Sequence, residues 1–139
     1  MTETDDLKMD LMNASGINRF LEEHEDDFSN MSAADYLRQL FEQKNVTKAA
    51  LAKNACMSEV YLHQMFAGKR NPSRNRVICI CFGLGASLDE TQEFLKHCEH
   101  AQLYPRKKRD AIIAYGLLNG LSLNEVNDKL FAENEESLY

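Results

Sequence analysis

Apolar side chains recur along this chain at the three- and four-residue spacing of helices, punctuated by hydroxyl caps and glycines. Between residues 5 and 28 they fall at Leu7, Leu11, Ala14, Ile17, Phe20, Leu21 and Phe28, with His24 between the last two. That is one helical stripe, and Asn13-Ala14-Ser15-Gly16 is its candidate interruption, because Gly weakens a helix interior. The stripe is either a face packed on the rest of the molecule or an arm that binds a partner or a second copy. Ser32 followed by Asp35 has the spacing of a capping box and predicts a helix to about Lys44, with Tyr36, Leu37, Leu40 and Phe41 on its apolar side. Thr47 is a good N-cap for a short helix from Lys48 to Ala55. Ser58 caps the next helix, which ends at Gly68, and Pro72-Ser73 opens another start. Val77 to Phe82 is apolar enough to be central to a core.

The pattern then repeats. Residues 74–104 align without gaps on residues 109–139, a shift of 35 positions. The identities include Arg74/Arg109, Ile78/Ile113, Gly85/Gly120, Ser87/Ser122, Leu88/Leu123, Glu90/Glu125, Leu95/Leu130, Leu103/Leu138 and Tyr104/Tyr139. Each copy has one plan: an apolar helix, a Gly suited to a left-handed C-terminus, then a Ser-Leu-x-Glu capping box that starts a second helix. Helical hairpins of this period stack to bury a shared face, although two copies are too few for a free-standing solenoid. Convergence on good capping chemistry is the plainer explanation, but the paired Leu-Tyr ends are not needed for capping. The second hairpin is expected to extend the bundle and to offer a surface for a dimer or a partner.

Composition agrees with helices. Of 139 residues 44% are apolar, only two are proline, and no Val/Ile/Thr-rich alternating segment of strand length occurs, so the fold class is all-α. No apolar run approaches membrane-spanning length, and the acidic start MTETDDLKMD is the wrong charge for a secretory signal, so a cytoplasmic protein is expected. Cys56, Cys79, Cys81 and Cys98 are irregularly spaced and are expected to be free thiols in a reducing compartment.

The formal net charge is −6, but the charge is segregated. Residues 1–35 carry −8, residues 36–109 carry +7 and residues 110–139 carry −5. The positive block holds the most informative stretch, Val46 to Ser73. Two short helices joined by a tight turn there have the spacing of a helix-turn-helix, whose second helix can enter the DNA major groove. With Leu62 and Met65 buried, the helix from Ser58 should expose Glu59, Val60, His63 and Gln64. Their chemistry suits base edges: Glu59 accepts from cytosine N4, Val60 meets a thymine methyl, and Gln64 pairs with adenine N6 and N7. His63 can donate to a phosphate or a base. Lys48, Lys69, Arg70, Arg74 and Arg76 are candidates for phosphate contacts, which position the protein without reading sequence.

Residues 33–88 resemble the Xre/phage-repressor (Cro-like) family of helix-turn-helix domains. The matching features are Thr47, Leu51-Ala52, Ser58, Leu62, Met65, Gln64 and the exit Gly68-Lys69-Arg70-Asn71-Pro72-Ser73. The resemblance implies a five-helix bundle, sequence-specific binding of double-stranded DNA, and a two-fold homodimer on a palindromic operator. The expected DNA-binding set, read from the residues themselves, is Lys48, Ser58, Glu59, Val60, His63, Gln64, Lys69, Arg70 and Arg74. Three positions depart from the family pattern. Cys56 stands where the turn usually has Gly, which opens the backbone of the turn to change. Lys48 replaces a common Gln and favours point-charge contact. Phe41 and Phe66 occupy places that often hold an Arg–Glu pair, an exchange a core tolerates. Glu59 opposes phosphate and points to selective rather than tight binding.

The expected organisation is therefore an acidic N-terminal helical arm (1–31), a helix-turn-helix domain (32–104) and a C-terminal helical hairpin extending the bundle (105–139). No phosphate loop, G-x-S-x-G or H-E-x-x-H is present, so no enzyme activity is expected. No cofactor or metal is expected, because Cys79 and Cys81 are two apart on a helix and no C-x-x-C pair exists. Arg106-Lys107-Lys108-Arg109 is either a second phosphate patch or a solvated first turn that works against the helix dipole. The alternative to a transcriptional regulator is a protein-interaction adaptor or antitoxin-like binder acting through the arm or the second hairpin.

Overall fold

The computed structural model describes residues 3–24 and 31–139. Phe28 of the N-terminal stripe lies outside them. Among the described residues the chain is all-helical, with nine helices and no strand. It forms two compact units, Met1–Asn30 and Met31–Tyr139.

The first unit holds α1 (Glu3–Asn13) and α2 (Ile17–Glu23). The stripe breaks within the expected stretch, and Gly16 lies there in extended backbone, a conformation open to any residue. Within the unit, the Phe20 and His24 rings meet at 4.5 Å, tilted by 37°, and Arg19 pairs with Glu23 one turn later. Met9, Leu11, Met12, Ile17 and Leu21 are exposed.

The second unit begins with α3 (Ala33–Gln43), α4 (Lys48–Asn54) and α5 (Glu59–Phe66). It continues with α6 (Arg74–Leu84) and α7 (Leu88–His97), then α8 (Lys108–Leu118) and α9 (Leu123–Ala132). Six of these seven start on a hydroxyl cap. Ser32, Thr47, Ser58, Ser73, Ser87 and Ser122 each accept a bond from the backbone N–H three residues on. Each cap satisfies an otherwise unpaired helix donor and contributes about 1 kcal/mol. Ser32–Asp35 closes as a full capping box, and the Ser32 hydrogen bond is the first reason the Asp35 carboxyl sits below its usual range.

The core is continuous from Leu37 and Leu40 on α3, through Leu51, Leu62, Met65, Val77, Ile78 and Ile80, to Ile113, Val126 and Leu130. Helix α6 lies at its centre and packs on α4, α7 and α9. Five successive α6 residues, Val77 to Cys81, are buried, as the apolar run predicts. The α4–α6 approach depends on Gly83. A Cβ there would lie 2.8 Å from Leu51 Cδ1 and 3.0 Å from the Leu51 carbonyl oxygen. Burying a residue such as Leu51 contributes roughly 1.5–3 kcal/mol.

The 35-residue repeat is a structural repeat, with its arginine-to-tail bonds, amide brace and capping boxes recurring. Arg74 Nε donates to the Ala101 carbonyl at 2.8 Å and Nη2 to that of Gln102 at 3.2 Å. Arg109 does the same to Glu136 at 2.8 Å and Ser137 at 3.2 Å. Gln92 Oε1 and Asn127 Oδ1 each accept, at 2.7 Å, from the backbone N–H of Leu103 and Leu138 respectively. Both capping boxes close. The left-handed residues also correspond, Gly85 with Gly120 and Glu99 with Asn134. Capping alone does not require the arginine and amide bonds to the tails, so the likeness extends beyond capping chemistry.

Arg74, expected among the phosphate contacts, is committed to this scaffold. Its guanidinium grips the buried Asp110 at 3.0 and 3.2 Å, in addition to the two carbonyls. Arg109 returns the contact by donating to Asn75 Oδ1 at 3.1 Å, position 75 being the repeat equivalent of 110. The two hairpins are thus clasped by reciprocal arginine bonds. In the basic run 106–109, Arg109 serves this clasp and Lys108 pairs with Glu133 at 3.1 Å.

Candidate nucleic-acid interface

Helices α4 and α5 form the motif. The turn between them keeps a left-handed residue although no Gly is present, with Cys56 at φ 55°. This corrects the expectation that the exchange frees the turn to change. The conformation is set by the backbone: Met57 N–H donates to the Ala52 carbonyl at 3.0 Å and Cys56 N–H to that of Lys53 at 3.2 Å, the Schellman closure of α4. Gly68 closes α5 the same way, with Lys69 N–H on the Gln64 carbonyl at 2.9 Å. A non-Gly residue in this region costs about 1–2 kcal/mol. The Cys56 thiol is exposed and is the first cause of the raised pKa of the Tyr139 phenol, whose hydroxyl donates to Asn124 Oδ1.

On α5, Leu62, Met65 and Phe66 are buried. Glu59, Val60 and His63 are exposed, Val60 by 68%, and Gln64 is half-buried. They form one helix face directed away from the core. Gln64 Oε1 accepts from Arg70 Nε at 2.8 Å, leaving the amide's two N–H donors and a second lone pair for a base edge. Ser58 caps Tyr61 N–H at 3.1 Å, so its hydroxyl keeps a proton to donate to a phosphate. Glu59 lies in the first turn of α5, where a carboxylate also stabilises the helix dipole.

The cations are arranged around this face by aromatic rings. Lys48 Nζ sits 4.7 Å from the centre of Phe66, and Phe66 meets Phe41 edge-on at 5.1 Å. The pair in the Arg–Glu positions is thus a ring contact that also seats Lys48. Tyr61 carries Arg76 at 4.2 Å and Arg70 at 5.4 Å. Cation–π contacts of this kind contribute about 0.5–1 kcal/mol at exposed sites and hold the guanidinium planes in place. Tyr61 and Arg76 are therefore parts of the face, and Tyr61 is not among the residues expected from the sequence. Its position three residues after the Ser58 cap, on the rim of the exposed face, is the signal the sequence offers for it. Lys69 is exposed and has no partner among the described residues.

The site thus holds Lys48, Ser58, Glu59, Val60, His63, Gln64, Lys69 and Arg70 on α4, α5 and the segment after α5, while Arg74 is turned inward. The other cysteines take no part. Burial pushes the Cys79 and Cys81 thiols up to about 12 and Cys98 up to about 11, so they are protonated and unreactive near neutrality.

The fold and the motif define a class. Residues 32–94 match the family model described as a helix-turn-helix domain, and they span α3 to most of α7. No curated protein and no solved structure matches the chain. No helix among the described residues is long and apolar enough to cross a membrane.

Proposed function

We propose that this protein binds double-stranded DNA sequence-specifically through α5, as a dimeric transcriptional regulator of phage-repressor type acting in the cytoplasm. The observation that carries the reading is the α5 face itself. Four outward side chains with base-reading chemistry, Glu59, Val60, His63 and Gln64, are bordered by Lys48, Lys69, Arg70 and Arg76. Base contacts specify and phosphate contacts position, and both kinds of group stand together here. The +7 block of residues 36–109 supplies the local field despite the net charge of −6.

Selection of bound duplexes from a random pool at near-physiological salt tests this. The expected result is a palindromic consensus whose half-sites lie about one helical turn, roughly 10 base pairs, apart. Retention without enrichment of any sequence contradicts it. A second reading, an adaptor acting through the arm, draws on the exposed Met9, Leu11, Met12, Ile17 and Leu21. Failure of selection together with a stoichiometric co-purifying protein favours that reading.

A further inference from the structure

The two hairpins share their internal bonds but not their surroundings. In the first, the outward face of α6 and α7 is covered by the chain itself. Helix α4 lies on α6 over Gly83, and α3 lies on α7, with Tyr36 against Phe94 and Lys44 paired to Glu90 at 2.9 Å. Val77, Ile80 and Phe94 are consequently buried. Their repeat equivalents in the second hairpin are Ile112, Tyr115 and Lys129. No helix of the second unit covers that face. Tyr115 is 61% exposed, and Leu118, the equivalent of Gly83, is 67% exposed. Between α8 and α9 the face opens into a groove of about 580 Å³, floored by Ala111, Ile112, Leu121 and Val126.

We infer that this face is the interface with a second copy of the chain, two hairpins packing through a two-fold axis. Three features select that occupant. An isologous contact needs one patch to carry both the projection and the recess that receives it. This patch has Tyr115 and Leu118 as projections beside a recess floored by the small Ala111. Its charges are also self-complementary. Lys108 and Lys129 share Glu133 at 3.1 and 3.3 Å, whereas Glu125, the equivalent of the Lys44-paired Glu90, has no cation partner among the described residues. A patch with two lysines and two glutamates favours neither an acidic nor a basic ligand, but a two-fold axis can place Lys129 of one copy by Glu125 of the other. Finally, Leu118 fills the space that Gly83 leaves open for Leu51, so a helix seated as closely as α4 is excluded.

The inference rests on the dimer in the proposed function and names its interface. It is tested without DNA, so its failure is separate from a failure of DNA binding. Sedimentation of the full chain from micromolar to submillimolar concentration is expected to show a monomer–dimer equilibrium. Tyr115→Glu should raise the dissociation constant by roughly tenfold or more, the behaviour of a central interface aromatic. Phe131→Glu, on the 82% exposed α9 residue outside the groove, should leave it unchanged. Retained helical circular dichroism and cooperative thermal unfolding of both variants confirm that they fold. A monomer throughout the range overturns the inference, as does a dimer that Tyr115→Glu leaves intact. If Tyr115→Glu fails to fold, Leu118→Glu takes its place: a weakened dimer supports the interface and an intact one overturns it.

Discussion

Residues 74–104 and 109–139 are one hairpin built twice, and they differ in what each hairpin's outward face meets. Inside each copy the arginine clamp to the tail, the amide brace, the capping box and the left-handed closures are the same. On the outside, the first copy is the floor of the helix-turn-helix domain and the second presents an open groove. Internal geometry is thus set by a few polar bonds that recur with the repeat. Role is set by the outward positions, where Gly83 becomes Leu118 and Phe94 becomes Lys129. The same scaffold supports α4 and α5 in one place and leaves a self-complementary surface in the other.

Removing the clasp between the copies should have the largest effect. Asp110→Ala removes the carboxylate that Arg74 grips and the acceptor of Tyr104 N–H. It should lower unfolding free energy by about 3–5 kcal/mol in urea titration, as removal of one partner of a buried ion pair does. Asn75→Ala breaks the reciprocal bond from Arg109 and should lose about 1 kcal/mol. Equal losses would show that the two arms of the clasp are equivalent and that burial of Asp110 carries no extra weight.

The outward positions come next. Gly83→Ala pushes a methyl group against the Leu51 carbonyl and should destabilise by about 1–3 kcal/mol. Leu118→Ala, at the equivalent place, should change the stability of the monomer by no more than about 0.5 kcal/mol, because the side chain is exposed. A large loss at Leu118 would mean that the second face is covered.

The two capping glutamates separate the copies further. Burial opposes ionisation of Glu90, but the Ser87 backbone N–H and the Lys44 ammonium outweigh it, and the carboxyl lies below its usual range. Its stabilisation is therefore complete above the unfolded-state pKa and is lost as pH falls through the folded value. Glu90→Gln retains a capping side chain and should lose about 1 kcal/mol near neutrality, with a smaller further loss on acidification than the wild type. Thermal unfolding between mildly acidic and neutral pH distinguishes these. Glu125→Gln, which breaks no lysine pair within the chain, should lose less from the monomer. One substitution should be a gain. Cys56→Gly relieves a left-handed Cβ and should raise stability by about 0.5–1 kcal/mol in urea titration.

What the sequence made legible was the local chemistry. Hydroxyl caps, the capping boxes and the helix-ending Gly68, Gly85 and Gly120 act over three to five residues, so spacing alone reveals them. The burial of Leu62 and Met65 and the exposure of Glu59, Val60 and His63 follow from helical periodicity. The features that spacing misses are long-range or backbone effects. Arg74 looks like a free cation until Asp110, 36 positions away, is brought beside it. The Tyr61 platform exists only once the segment after α5 and the start of α6 return across it. Cys56 keeps the geometry of a glycine because two backbone hydrogen bonds over-determine the turn.

The proposed reading of DNA by α5, and not by the second hairpin, can be tested residue by residue. The experiment is an amide NMR titration of the isotopically labelled full chain with a duplex obtained by selection. Shift changes are expected to concentrate at Val60, His63, Gln64, Lys69 and Arg70, with residues 109–139 unperturbed beyond uniform broadening. Changes centred on α8 and α9, or none at saturating duplex, would overturn the assignment of α5 as the reading helix.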